Sequence, residues 1–145
     1  MKVTQDEIKN WFDYVYKKQG YKYLRPIEAY DIFVSLFEPE TNKRFLDIAS
    51  GLGLMLKKMA AECVQSYGID ISEEAIKQSS EFCPEAEVIQ ANAEYLPFHD
   101  NTFDYITCIG SLERMLDRKK VLKEMLRVAN NEAKICLMVR NSENF

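Results

Sequence analysis

The stretch Arg44 to Gly53, RFLDIASGLG, decides the fold. Arg44 to Ala49 reads as a short apolar strand interrupted by one acid, Asp47, and the chain then enters a turn carrying Gly51 and Gly53. Behind the turn, about Leu52 to Ala61 reads as a helix. The sequence has only five glycines, Gly20, Gly51, Gly53, Gly68 and Gly110, so two of the five fall in this one turn. Glycine there admits a positive φ and lets a ligand lie against bare backbone. A strand, a glycine turn and a helix in succession open an α/β unit.

The unit repeats. Val64 to Asp70 is a second strand, and Ser72 caps a helix whose first turn carries Glu73 and Glu74, where acids suit the helix dipole. Pro84 follows that helix. Glu87 to Ala91 is a third strand and Phe103 to Ile109 a fourth. Asp117 caps a helix that presents Val121, Leu122, Met125, Leu126 and Ala129 on one face. Lys134 to Val139 is a fifth strand, and its unbroken apolar run is expected of a strand covered on both faces. Upstream, Thr4-Gln5-Asp6-Glu7 reads as a capping box, with Trp11, Phe12 and Val15 as the packing face of the helix behind it. Gly20 ends that helix, and Pro26 suits the first position of a second one running to about Phe37. Residues 1–40 are therefore expected to form a helical lid on a core of residues 41–145, in a single domain. The alternation predicts a parallel, doubly wound α/β sheet, in which ligands bind at the carboxyl ends of strands where the strand order reverses.

The chain has 145 residues, 47% hydrophobic, with 19 Lys and Arg against 23 Asp and Glu and a net charge of −4. That length suits one domain burying roughly 70% of its unfolded surface. Asp70 to Asp104 holds nine acids and one Lys, whereas Glu113 to Arg140 holds eight bases and four acids. No uniformly basic nucleic-acid footprint results, and the late basic cluster reads as a solvated helix face. Cys63, Cys83, Cys108 and Cys136 contain no C-x-x-C pair and accompany a single His, His99, so no metal site is expected. The N-terminal MKVTQDEIKN has no apolar signal core, and no apolar run approaches a membrane span. A cytoplasmic protein with reduced, mostly buried cysteines is expected.

The first strand's exit is the place to look for chemistry. Asp47 lies four residues before Gly51, and Asp70 ends the second strand 19 residues after it, where an acid commonly holds ribose hydroxyls. Ser72 suits the capping role better than Asp70 does. A nicotinamide fingerprint would need a third glycine where Leu56 stands.

FLDIASGLG, YGIDIS, ANAEYLPFHDNTFDYI and the run to RVANNEAKICLMV together resemble the class I S-adenosylmethionine-dependent methyltransferases. The likeness is to the small-molecule group typified by quinone-biosynthesis methyltransferases, and it covers about Arg44 to Val139. It implies a Rossmann-like sheet of order 3-2-1-4-5 and S-adenosyl-L-methionine as cofactor. Asp47, Ala49, Gly51 and Gly53 would line the methionine end of that cofactor. Asp70 would accept the ribose hydroxyls, Ile71 would pack on the adenine, and Asn92 and Ala93 would meet the adenine edge. The Gly110 region would face the methionine and the methyl group.

Ala49 stands where the family has its first glycine, a small-for-small change expected to leave room. Asn92 replaces the commoner Asp, and its carbonyl can still accept. Ala129-Asn130-Asn131-Glu132 replaces a Pro-Gly-Gly turn, which asparagine is expected to preserve through left-handed geometry. The family continues into a further helix and two strands, whereas this sequence stops at Phe145, either as a piece or with its pocket finished another way.

No catalytic residue is assigned, since methyl transfer asks mainly for positioning and exclusion of water. Glu113 is a candidate base or substrate orienter, with an exposed helix-face acid the plainer reading. His99 lies in a turn away from the site. One of Tyr14, Tyr16, Tyr21 and Tyr23 is expected to reach the cofactor, and Arg25 to pair with its carboxylate or lie at the surface. The segment Ile109-Gly110-Ser111-Leu112 lacks the Pro-Pro-aromatic signature of DNA amine methylation. The expected partner is a small-molecule methyl acceptor, without nucleic acid or membrane. The other function left open is a catalytically silent cofactor-binding module or partner subunit. The uncharged edge of the fifth strand is expected to pair with a second copy of the chain in preference to cover by the N-terminal helices.

Overall fold

The computed structural model describes residues 2–140. Five parallel strands, β1 (Arg44–Ile48), β2 (Gln65–Asp70), β3 (Glu87–Gln90), β4 (Phe103–Ile109) and β5 (Ala129–Met138), form one sheet of order β3-β2-β1-β4-β5. The helices are α1 (Gln5–Gln19), α2 (Asp31–Phe37), α3 (Leu54–Ala60), α4 (Glu73–Phe82) and α5 (Arg118–Val128). The doubly wound sheet and its order are those the sequence predicts.

Both sheet faces are covered, so the strands' period-2 alternation divides apolar residues between two cores. Leu46 and Ile48 of β1 and Ile106 and Cys108 of β4 pack with Val121, Met125 and Val128 of α5. Phe45 and Tyr105 point the other way, into a cluster with Phe33 and Phe37 of α2 and Leu54 to Met59 of α3. The crossover from β3 to β4 has no helix. Arg127 replaces one: its guanidinium donates to the carbonyls of Phe98 and Leu96 and to Asp100 and Glu124, while Glu124 accepts from the Leu96 N–H. This arginine belongs to the basic cluster that reads as a solvated face, and it is instead tied into the fold.

Local sequence accounts for most boundaries. Thr4 and Glu7 form the expected capping box of α1, and Gly20 ends the helix with φ +53°. Ser72 and Asp117 cap α4 and α5 as predicted, each side chain accepting a first-turn N–H. α3 begins two residues later than expected because Gly53, at φ +87°, is its left-handed cap. After Pro26 the chain makes a 3-10 turn, Ile27–Tyr30, before α2.

Four expectations about packing need correction. Leu126 is 69% exposed, because the buried stripe of α5 runs through Val121, Met125 and Val128, and Leu126 lies about 100° off it. Trp11 is 50% exposed, and α1 instead buries Val15 and Tyr16. β5 is covered on one face only. Cys136 and Met138 pack beside Phe37, while Ile135 and Leu137 remain 37% and 42% exposed beyond the reach of α5. The left-handed turn before the fifth strand is also absent. Neither Asn130 nor Asn131 has positive φ, and the segment runs as the start of β5 through a bulge between Phe103 and Tyr105 of its partner, with the Asn130 amide donating to Asp104. The outer edge of β5 has no strand partner among the described residues.

Gly68 in β2 sets how closely the first turn approaches the sheet. A Cβ there would stand 2.7 Å from both Leu56 Cδ1 and Ser50 Oγ. Neither neighbour can retreat from a filled core, so Gly68→Ala should destabilise the fold by about 2 kcal/mol, the usual scale of overpacking. Chemical denaturation would show it as a lowered midpoint with an unchanged slope.

Candidate functional site

The strand order reverses between β1 and β4, and the turns leaving β1, β2, β3 and β4 converge there. Asp70, 5% exposed at the end of β2, joins them. Its Oδ2 accepts the Gly51 N–H and its Oδ1 the Ser72 N–H, both at 2.9 Å. The Ser50 N–H donates to the Ile69 carbonyl, fixing the turn against the same strand. Burial pushes the Asp70 carboxyl up to about 6 against the pull of these N–H groups. Asp47, 4% exposed at the end of β1, accepts from Thr107 Oγ1 of β4 at 2.7 Å. Burial raises its pKa to about 7, with the Asp70 charge adding to the rise.

α1 lies across this end of the sheet. Asp13 Oδ1 accepts from Ser72 Oγ at 2.6 Å and from the Glu74 N–H at 3.1 Å, so α1 docks on the start of α4. At its other end Gln5 donates to Glu94, which follows β3. Tyr16, expected only as one of four candidates, is the tyrosine brought in: it is 5% exposed and its hydroxyl lies 3.2 Å from where a Cβ on Gly51 would stand. Tyr23 follows it in. Tyr14 is exposed beside Lys18, and Tyr21 packs on Phe82 with its hydroxyl donating to the Leu52 carbonyl.

Two cavities open under α1. The first is lined by Asp70, Ile71, Asn92 and Ala93 together with Ile8 and Met115. The second is lined by Asp47, Gly51, Gly110, Tyr23, Arg25 and Tyr30. Phe12, Tyr16, Ala49, Ser111 and Arg114 line both, so the two cavities adjoin. Phe12 therefore faces the site while also packing, as expected, against the cluster of Tyr16, Leu52 and Ala75. Of the nine predicted site residues, eight line one cavity or the other. Gly53 does not: a Cβ on it would stand 3.1 Å from Ser79 Cβ of α4, so its role is to let α3 and α4 approach.

Ala49 carries φ +58°, so its left-handed backbone explains why a glycine suits that position. Glu113 is not the exposed acid expected: both carboxylate oxygens are buried without a hydrogen-bond partner, and it lines neither cavity. Its neighbour Arg114 does, donating to the Tyr23 hydroxyl at 3.0 Å with its guanidinium 5.7 Å from the Phe12 ring. Sequence reading missed Arg114 because Leu112–Arg114 is a 3-10 turn. Its three-residue period puts Arg114 on the side of Ser111, and no residue type marks that choice in advance. His99 is exposed in its turn, as expected. Among the described residues no cluster of His, Cys, Asp or Glu could hold a metal, and no helix is long and apolar enough to cross a membrane.

A parallel sheet with paired buried acids at its switch point, under an aromatic helix, defines a nucleotide-type cofactor site in an α/β domain. Residues 46–137 match the family model described as methyltransferase domain, and the chain belongs to that family. It is 38% identical over 112 residues to the ubiquinone/menaquinone biosynthesis C-methyltransferase of Rickettsia massiliae, covering 68% of this chain and 45% of that protein. It is 36% identical over 107 residues to the demethylmenaquinone methyltransferase of Bacillus licheniformis, covering 69% and 46%. The chain thus spans a little under half the length of these relatives. Among solved structures, the YcgJ protein of Bacillus subtilis aligns with a TM-score of 0.72 at 27% identity, over 76% of this chain and 49% of that one.

Two outcomes follow from the buried groups. Replacing left-handed Ala49 by Gly removes a cost of about 1 kcal/mol, so Ala49→Gly should raise the melting temperature by a few degrees. The pH dependence has a defined sign. Between pH 4 and 7 the folded chain keeps a proton on Asp47 that the unfolded chain has lost, and Asp70 does the same up to about 6. Folding then binds protons, and stability falls as pH rises through that window. Asp13 and Glu124 are shifted downward and give the opposite slope, but only below it. Asp47→Asn, which keeps an acceptor for Thr107, should flatten the decline between pH 5 and 7 in denaturation midpoints.

Proposed function

We propose that the chain binds S-adenosyl-L-methionine across the two cavities and places its methyl group for transfer to a small organic acceptor. The observation that carries this reading is Asp70: a buried carboxylate at the end of β2, held by two backbone N–H groups, with a further lone pair on each oxygen for the vicinal hydroxyls of a ribose. Ile71 supplies an apolar surface for the adenine in the first cavity. The Asn92 carbonyl already accepts the Glu94 N–H at 3.0 Å, which fixes the amide's orientation toward an adenine edge beside Ala93. In the second cavity Asp47, Ala49, Gly51 and Gly110 receive the amino-acid end, Gly51 because no side chain stands between its backbone and Tyr16. Bound there, the cofactor supplies a sulfonium-activated methyl carbon, and as an acceptor lone pair takes that carbon the C–S electron pair returns to sulfur as a neutral thioether. The chain's contribution is to orient the two reactants and to exclude water beneath Phe12 and Tyr16. The relatives named for quinone methylation support an acceptor of small-molecule size.

Titration calorimetry tests the reading directly. S-adenosylhomocysteine should bind and NADH should not. Asp70→Ala should weaken binding about a hundredfold, the worth of two hydrogen bonds to a charged acceptor. Because ionised Asp70 is the form that accepts both hydroxyls, binding should tighten from pH 5 to 7 and release protons in that range. Transfer of labelled methyl to a panel of small acceptors separates an enzyme from a module that only binds. Tight NADH binding with none of the methionine cofactor would overturn the reading.

A further inference from the structure

The second cavity carries more positive charge than its proposed cofactor can use. Arg25, Arg114 and Arg140 all line it, and the one acid among its described lining residues is Asp47. Neither Arg25 nor Arg114 lies within ion-pair distance of a carboxylate among the described residues. Asp47 is turned to Thr107 of β4. The Arg25 guanidinium rests over the bare backbone at the end of β4, with Nη2 3.3 Å from where a Cβ on Gly110 would stand. Arg114 is held by the Tyr23 hydroxyl and the Phe12 ring, so its fork is oriented before any ligand arrives, and one of its five N–H donors makes a hydrogen bond.

S-adenosylmethionine itself brings a sulfonium, an ammonium and a single carboxylate, and is a net cation. Its carboxylate can satisfy one guanidinium, and Arg25 beside Gly110 is the one at the amino-acid end. Arg114 then faces the sulfonium side of the cavity with no anion to meet it. Arg25 and Arg140 are exposed at the rim, where solvent screens their charge, whereas Arg114 is half-buried. A sulfonium beside Arg114 repels it, and a neutral acceptor would leave that repulsion in place. Resting on the methyltransferase reading above, we propose that the acceptor carries an anionic oxygen group, a carboxylate or a phosphate, and that Arg114 is the residue that selects it. The planar fork of arginine matches both groups bidentately, which a lysine does not. The same anion lies between Arg114 and the sulfonium, and so draws the acceptor toward the methyl group.

Benzoate, phenyl phosphate and the neutral benzamide serve as probes that share a phenyl ring and differ in the charge of the group it carries. The protein is first saturated with S-adenosylhomocysteine, so changes in cofactor affinity do not enter, and each probe is then titrated calorimetrically. At least one of the two anions should bind ten times more tightly than benzamide, and which of them does so distinguishes carboxylate from phosphate. Arg114→Gln should reduce that preference below threefold, and Arg114→Lys should leave it intermediate. Equal binding of anions and benzamide to the loaded protein overturns the proposal and leaves the cofactor reading intact. A preference unchanged in both variants overturns the role of Arg114. Failure at the loading step overturns the cofactor reading itself, and the proposal with it.

Discussion

The geometry of this end of the sheet depends on one buried carboxylate. Asp70 gathers the N–H groups of Gly51 and Ser72 onto its two oxygens, and so ties the turn leaving β1 to the turn leaving β2. Each oxygen belongs to a different neighbour, so the two turns hold their spacing only while both bonds are made. Gly68 lets the first turn settle close to β2, and the left-handed conformations of Ala49, Gly51 and Gly53 let the chain reverse within five residues. A larger residue at any of these places, or an acid one residue earlier or later, would aim the carboxylate elsewhere, because the side-chain direction alternates along a strand.

The second constraint is the docking of α1. Its inner face brings Phe12 and Tyr16 over the strand ends, and its hold there is polar: Asp13 reaches the start of α4 through Ser72 and Glu74, and Gln78 donates to the Tyr16 carbonyl. Ser72 stands in both networks, giving its backbone N–H to Asp70 and its hydroxyl to Asp13. The cap of α4, the buried acid Asp70 and the helix that roofs the cavities are therefore one connected set of hydrogen bonds. Loosening the roof disturbs the acid, and a ligand that engages the acid bears on the roof.

The sheet was legible because its evidence is local. Apolar runs of four to seven residues, the first, second and fourth of them followed by a turn and a helix, admit one architecture, and the acids at the carboxyl ends of β1 and β2 stand out because the carboxyl ends of the other runs carry none. What lay beyond reading depended on contacts between distant segments. Tyr16 and Phe12 face the cavities because of where α1 docks, and that is decided by Asp13 meeting Ser72, 59 residues away. Thr107 was invisible as the partner of Asp47 until β4 lay beside β1. Arg114 was missed and Glu113 misjudged because a 3-10 turn and an α-helix send consecutive residues in different directions. Ala49 was judged by its size, whereas the backbone shows that conformation matters more there. The cover of β5 was misread because an apolar run signals two covered faces only where helices reach both.

Asp47 and Asp70 also explain why such a site costs stability when empty of positive charge. Both acids are buried, and the charge of Asp70 adds to the rise of the Asp47 pKa. A structure optimised for stability alone would place apolar residues or a paired base at these positions. Here Arg25 and Arg114, bases that share the second cavity with Asp47, are engaged with Tyr30 and Tyr23. The single carboxylate of Asp47 and the guanidiniums of Arg25 and Arg114 in one cavity form a charge pattern complementary to a zwitterion. A ligand presenting an ammonium to the acid and a carboxylate to the arginines relieves both at once. A ligand with one charge relieves only one of them. On the cofactor reading proposed above, the uncompensated charge trades a modest loss of stability for selectivity toward an amino-acid group, and the surplus of arginine extends that selectivity to whatever binds next to it.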